Sequence, residues 1–341
     1  MTGWIDQVDK LTRGSGLWDS GFQLGDWLDP EAPPERPGDS ATDPYLVATA
    51  YHAHTARLVA ETCRLLGRHD LADRYGQIAE RARAAFQTEY LAPSGRVVSD
   101  TVTAVALAIV FDLFVDDRQR ANAGRRLSDL VKQGDHLIKT GFIGTPLVCD
   151  ALAITGHVDT AYHLLLQTRS PSWLYPVTMG ATTVWERWDS MLPDGSVNPG
   201  EMTSFNHYAL GAVVDFMHRV LGGLTPAEPG YRRIRVAPQP AGGLTRVAVS
   251  HASPYGPIDV AWTREGYDFR LDVHVPHGVE AEVVLPGDEP RLIGSGQHQF
   301  VTRFRRPADD PRQPRLWNIH SPEDRRELEA LRTKHERRQG R

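Results

Sequence analysis

The stretch Asp100–Phe114, DTVTAVALAIVFDLF, decides the fold. From Ala104 to Val110 every residue is apolar, so a helix here has no polar face and must be covered on several sides. Its neighbours in sequence supply the cover. Upstream, Asp43 can cap a helix, Pro44 suits the first helical position, and apolar residues recur at helical spacing through Leu66 until Gly67 ends the segment. A second helix is predicted over about Leu71–Tyr90, stopped by Pro93-Ser94-Gly95. Downstream, an amphipathic, Arg-rich helix is expected over Asp117–Gly134, then helices over Pro146–Thr155, Val158–Gln167 and Ser204–Leu221, the last with Ser204 as N-cap. Very apolar helices alternate with more polar ones across short loops, which is the layout of an α/α toroid or solenoid. No sequence repeat is visible, which disfavours a regular repeat array.

After Gly222-Gly223 the period changes. Tyr231–Val236, Leu244–His251, Ile258–Arg264, Tyr267–Val275, Glu280–Leu285 and Gln299–Phe304 alternate or are rich in β-formers, with Gly, Pro and Asp between them. That pattern predicts a small antiparallel β-sandwich. Residues 1–43 read as irregular, with glycines and prolines crowding Gly14–Pro37. Trp18, Phe22 and Trp27 lie in this region, and a loop so rich in aromatics suits a site-forming role better than a plain linker. Residues 307–341 are polar and end in a charged stretch, expected as a frayed helix or a disordered tail.

Composition narrows the function classes. The 341 residues suggest roughly two domains, and 40% hydrophobic with 24% charged residues is ordinary for globular proteins. No apolar run is long enough to span a bilayer, and Met1–Trp18 has neither an apolar core nor a small-residue cleavage site. No membrane partner is therefore expected. A net charge of -5 argues against a nucleic-acid partner, which would need a basic face. Cys63 and Cys149, the only two cysteines, each sit in an apolar helical pattern and read as buried free thiols, so a reducing cytoplasm is the expected location. The 14 histidines are scattered without zinc-ligand spacing, and neither a metal nor another cofactor is expected.

The densest cluster of chemistry-bearing residues runs from Met179 to Tyr208. Trp185-Glu186-Arg187-Trp188-Asp189 is followed by a Pro/Gly loop and then by Gly200-Glu201-Met202-Thr203-Ser204-Phe205-Asn206-His207-Tyr208. Two carboxylates and a guanidinium beside two tryptophans make a poor hydrophobic core and a good sugar pocket: aromatic faces stack on pyranose rings, and carboxylates perform acid and base chemistry. A structural reading stands beside it, with an ion pair under packed tryptophans. His207 alone would more often be a satisfied hydrogen-bonded residue, and Asp189 and Glu201 can be read as turn or cap residues. Asp194, before Gly195, is better read as a turn residue. In Gly25-Asp26-Trp27-Leu28-Asp29-Pro30, Asp29-Pro30 reads as a turn, and Trp27 beside Asp26 as a structural pair or a sugar platform. Composition alone does not say which carboxylate is catalytic.

Taken in order, Gly25–Pro30, Thr140-Gly141-Phe142-Ile143-Gly144-Thr145-Pro146, Ala181–Asp189 and Asn198–Tyr208 resemble the bacterial α-L-rhamnosidases of glycoside hydrolase family 78. The resemblance extends through Pro229-Gly230-Tyr231 and Gly294-Ser295-Gly296 and covers about residues 10–305. It implies an (α/α)6 barrel with a C-terminal β-sandwich, and hydrolysis of terminal α-L-rhamnose with inversion. It further implies Glu186 as general base, His207 as a sugar-binding residue and Trp27 as a wall of the rhamnose pocket, with Asp26, Trp188 and Asp189 nearby.

One departure stands out. The family's general acid lies in an acid-rich motif containing Asp-Cys-Pro, followed by Gly-Trp-Thr-Gly-Asp, both upstream of Gly-Asp-Trp. Neither occurs in these 341 residues. The expected organisation is therefore mainly α with a β-domain: an incomplete (α/α)6 barrel over 1–222, a small antiparallel β-sandwich over 223–306 and a charged tail over 307–341. A truncated gene product or fragment is expected, with self-association through the open barrel. Partners would be rhamnose-containing glycosides. Two further readings remain open at this point: another sugar on the same architecture, and a rhamnoside-binding or structural remnant without catalysis.

Overall fold

The computed structural model describes residues 1–33 and 35–304. Residues 1–211 form one compact unit, and the described residues from 212 onward belong to a second. The charged tail lies outside the described residues.

The first unit is built of helical hairpins: α1 (Thr2–Leu11), α2 (Pro44–Leu65) with α3 (His69–Tyr90), α4 (Val102–Val110) with α5 (Asp117–Gln133), α6 (Thr145–Ile154) with α7 (Val158–Leu165), and a short α8 (Leu174–Thr178). Local chemistry sets several starts. Asp43 accepts the N–H groups of Tyr45 and Leu46 at the head of α2. Thr101 accepts Ala104 N–H at 3.2 Å to open α4, and Asp116 accepts Gln119 N–H at 2.7 Å to open α5. In α4 every residue from Val102 to Ile109 is buried, and the helix packs on both α2 and α6. α4 is thus the covered inner element that its composition requires.

Three features differ from the sequence expectation. The region expected to be irregular begins with α1, whose inward side is only Ile5 and Val8. Its anchoring comes from α3, where Arg74 and Tyr75 reach Asp6 and Arg81 reaches Asp9, partners too distant in sequence for a local pattern to reveal. The helix expected from Ser204 does not start there. Ser204 Oγ instead accepts Asn206 N–H at 3.2 Å in a local turn, and regular structure resumes only with a 3-10 turn at Ala209–Ala212. Finally, the β-domain is not wholly antiparallel.

The second unit opens with α9 (Val213–Phe216) and a π-turn at Met217–Leu221. Two four-stranded sheets follow. One has the order β3-β4-β5-β8, with β3 (Arg246–Ser253), β4 (Gly256–Glu265), β5 (Asp268–Val275) and β8 (Gly296–Arg303), all antiparallel. The other has the order β1-β2-β6-β7, with β1 (Leu224–Pro226), β2 (Arg233–Val236), β6 (Glu280–Val283) and β7 (Arg291–Ile293). Here β2 and β6 run parallel, Ile234 opposite Ala281, because the three strands between them in sequence belong to the other sheet and the chain returns by a crossover. Alternate residues of β4 and β5 (Ile258, Val260, Trp262, Phe269, Leu271, Val273) form the core with Ile234, Val236, Ala281 and Val283. Buried Trp262 donates Nε1–H to Leu221 O at 2.8 Å, so its one polar atom is satisfied.

Candidate active site

The Trp-Glu-Arg-Trp segment sorts its side chains by polarity. Trp185 is 3% exposed and packs edge-on against Phe205 and Tyr175. Trp188 is 5% exposed and packs edge-on against Trp173 with ring centres 5.7 Å apart. The tryptophans are therefore packing elements here. Arg187 does not pair with Glu186. Its Nε meets Asp189 Oδ1 at 3.1 Å and its Nη1 donates to Glu201 O at 3.3 Å. Asp189 in turn accepts Asn198 Nδ2–H at 2.9 Å, so Arg187 and Asp189 brace the 187–201 loop. At the tip of that loop Asp194 accepts both the N–H and the hydroxyl of Ser196, bonds that lower its carboxyl below the ordinary range. The turn reading of Asp194 matches this geometry.

With Arg187 engaged elsewhere, Glu186 has no cationic partner among the described residues. Its Oε2 accepts Ser204 N–H at 3.2 Å. Two strand-like bonds hold the segments side by side, Glu186 N–H to Ser204 O and His207 N–H to Val184 O, each 2.8 Å. Thr183 adds a hydroxyl bond to Phe205 O. Glu186 and His207 therefore reach one short pairing of chain from opposite segments.

His207 stacks with two rings, Phe142 at 5.1 Å and 23° and Tyr208 at 5.3 Å and 11°. Its Nδ1 accepts Ala209 N–H at 3.3 Å. In the neutral ring this places the proton on Nε2, which is then a donor toward a ligand oxygen.

Trp27 and Asp26 belong to the loop after α1. Trp27 is half-buried, its ring lying against Gly38 and its carbonyl accepting Phe142 N–H at 2.8 Å. Asp26 is wholly buried, and its carboxylate takes four donors: Thr103 Oγ1–H at 2.5 Å, Gly141 N–H at 2.8 Å, and the N–H groups of Ile143 and Gly144 at 3.0 Å each. Burial pushes this carboxyl above the usual range against the pull of those bonds. Two glycines make the approach possible. A Cβ at Gly141 would collide with the carbonyl oxygens of Asp26 and Trp27, and one at Gly144 with the Thr103 hydroxyl. Asp29 accepts Glu31 N–H and Ala41 N–H at 3.0 Å each and so closes its own loop, as the turn reading of Asp29-Pro30 had it.

A cleft of about 260 Å³ is lined by Leu28, Asp29, Pro30, Ser170, Arg187, Trp188 and Asp189, among others. Of the six residues singled out from the sequence, Trp188 and Asp189 stand in its wall, and Asp26, Trp27, Glu186 and His207 do not. The residue that sequence reasoning left without a role is Phe142, which touches both the Trp27 backbone and the His207 ring. Its signal was its place between the two glycines of the Thr140–Pro146 motif. Among the described residues no group of three or more His, Cys, Asp or Glu side chains could hold a metal ion. No helix of the described residues is long and apolar enough to cross a membrane. Cys63 and Cys149 are both buried free thiols.

Helical hairpins followed by a two-sheet domain, with a glutamate presented from a Trp-rich loop, define a class of α/α-hairpin proteins with a C-terminal β-domain. Residues 1–221 match the model of the bacterial alpha-L-rhamnosidase six-hairpin glycosidase domain, and residues 223–300 that of the bacterial alpha-L-rhamnosidase C-terminal domain. The chain belongs to the bacterial α-L-rhamnosidase family. It is 39% identical over 298 residues to an alpha-L-rhamnosidase of Streptomyces avermitilis, covering 87% of this chain and 28% of that protein. One from Formosa agariphila is 36% identical over 281 residues, 82% of this chain and 30% of the relative. Among solved structures, native alpha-L-rhamnosidase from Aspergillus terreus superposes with a TM-score of 0.82 at 44% identity, over 85% of this chain and 34% of that one. The Streptomyces avermitilis enzyme complexed with L-rhamnose superposes with a TM-score of 0.79 at 37% identity, over 89% of this chain and 30% of that one. The chain thus spans roughly a third of the length of these relatives.

Proposed function

We propose that this chain carries the base side of a rhamnoside-hydrolysing site that works with inversion. Glu186 takes a proton from a water attacking the anomeric carbon of a terminal α-L-rhamnose. The observation that carries this is the state of Glu186: one carboxylate oxygen anchored by Ser204 N–H, the other without a hydrogen bond among the described residues, and no cation to neutralise it. A carboxylate so held can orient and deprotonate water. His207 Nε2–H and the Trp27 ring bind the sugar, and Trp188 and Asp189 support the loop that carries Glu186.

Inversion also needs an acid on the leaving oxygen. Within these 341 residues nothing matches the family's acid motif, so for these residues taken alone the proposed activity is greatest on substrates whose leaving group needs little protonation. The test compares nitrophenol release from an aryl α-L-rhamnoside with rhamnose release from an alkyl rhamnoside. Cleavage of the aryl substrate, with the alkyl one slower by about 10²–10⁴-fold, is expected. Equal cleavage of both would mean that a carboxylate of this chain serves as acid. Cleavage of neither, with rhamnose still bound, would leave a rhamnoside-binding chain without catalysis.

A further inference from the structure

We propose that Asp26 is a positioning residue of the sugar site, holding the 141–144 turn so that Phe142 fixes both Trp27 and His207. The inference rests on the reading of Trp27 and His207 as sugar-binding residues. The sequence reading set Asp26 beside the sugar; its atoms are instead fully used inside the protein. Oδ2 takes Thr103 and Gly141, and Oδ1 takes Ile143 and Gly144. The side chain has no exposed surface, so a ligand has no access to it.

What the four bonds accomplish is geometric. Thr103 belongs to α4, the buried inner helix, and the three N–H donors belong to the turn that leads into α6. The carboxylate therefore ties the Trp27 loop and the 141–144 turn to one rigid element. Phe142 sits between the anchored residues. Its N–H is bonded to Trp27 O and its ring stacks on His207. Moving the turn moves both contacts together. The bonds between Glu186 and Ser204 involve neither Phe142 nor Asp26, so the anchor acts first on the sugar-binding rings.

Asp26→Asn keeps one acceptor oxygen and, with its NH₂ at the Oδ2 position where the Thr103 hydroxyl can turn to accept, still sets an amide donor against Gly141 N–H, which unseats one side of the turn. Thr103→Val removes one donor and leaves the carboxylate, and Thr103→Ser restores the hydroxyl. The full chain and each variant are examined for L-rhamnose affinity by calorimetry, for aryl rhamnoside kinetics, and for the His207 imidazole resonances, which feel the ring currents of Phe142. Expected are a rise of about tenfold in rhamnose Kd and in KM for Asp26→Asn. A smaller rise is expected for Thr103→Val and none for Thr103→Ser, with kcat within about threefold throughout and His207 resonances displaced in the two impaired variants. Unshifted His207 resonances and unchanged affinity in folded Asp26→Asn overturn the proposal, as does an equal fall in kcat with KM unchanged. If Asp26→Asn does not fold, Thr103→Val decides: wild-type His207 resonances and affinity there overturn it. A wild-type chain that binds no rhamnose sinks the sugar-site reading instead, and the resonances still report whether Asp26 places His207.

Discussion

Glu186 and Ser204 are bonded in both directions: Ser204 N–H meets Glu186 Oε2 at 3.2 Å, and Glu186 N–H meets Ser204 O at 2.8 Å. The carboxylate is thus oriented by backbone, and among the described residues no cationic side chain pairs with it. A carboxylate held this way keeps its geometry when its own charge is removed.

That argument sets the first prediction. Glu186→Gln retains an acceptor for Ser204 N–H and the shape of the side chain, and loses the ability to take a proton. Aryl rhamnoside turnover should fall by about 10²–10⁴-fold. Rhamnose Kd, measured by calorimetry, should change less than about threefold. A parallel loss of binding would assign Glu186 to sugar contact.

Phe142 sets the second. Phe142→Ala removes one face of the ring stack on His207 while leaving the N–H to Trp27 O. An aromatic pair contributes about 0.5–1.5 kcal/mol beyond its buried area, which corresponds to roughly two- to tenfold in rhamnose Kd. Phe142→Tyr keeps the ring and should bind as the wild type does. Calorimetric titration of both variants separates the ring from mere bulk.

Gly141 sets the third. A methyl group there meets two backbone carbonyls rather than a flexible side chain, so relief requires the Trp27 loop and the turn to part. Gly141→Ala should cost about 1–3 kcal/mol in urea unfolding. Gly180→Ala is a control for space, since nothing lies within 4 Å of that position; its positive φ of 83° adds only local strain. A Gly141→Ala chain as stable as wild type would refute the close approach.

His52 sets the fourth. It is wholly buried in α2, with neither ring nitrogen hydrogen-bonded, in the region of the Asp9–Arg81 ion pair. Burial holds its pKa below the ordinary 6.5, with Asp9 opposing and Arg81 assisting. A group protonated less readily when folded gives the unfolded chain more bound protons just below pH 6.5, so stability rises with pH there. The His52 contribution is complete above pH 6.5 and is lost as pH falls from 6.5 toward the depressed folded value. His54 and His157, also lowered by burial, act in the same direction. Urea midpoints at pH 7 and pH 5 should differ less in His52→Leu than in wild type. An identical difference would remove His52 as a cause.

Local chemistry wrote much of the helical architecture into the chain. Asp43-Pro44 begins α2, the apolar run 104–110 demands burial of α4, and alternation along 258–262 and 269–273 marks the sandwich strands. These signals act over three or four residues in a helix and two in a strand, so a sequence displays them directly. The Asp194 turn and the closed loop at Asp29 belong to the same kind.

What the tertiary structure decided lies at longer range. Asp26 meets its partners 77 and 115–118 residues away, and nothing local distinguishes such a buried anchor from a ligand contact. Trp185 and Trp188 turned inward while Arg187 chose Asp189, which left Glu186 without a cationic partner among the described residues; an alternation of aromatic and charged residues allows either outcome. The 204–208 segment pairs with 184–186 instead of coiling into a helix, because its donors and acceptors found partners in another part of the chain. The sequence by itself determined the helices from α2 to α7, the strands of the β3-β4-β5-β8 sheet and which residue types would gather near the Trp-rich loop. Only the tertiary structure decided that Asp26 is fully satisfied while Glu186 keeps an oxygen without a hydrogen bond among the described residues, since that depends on donors brought together from distant segments.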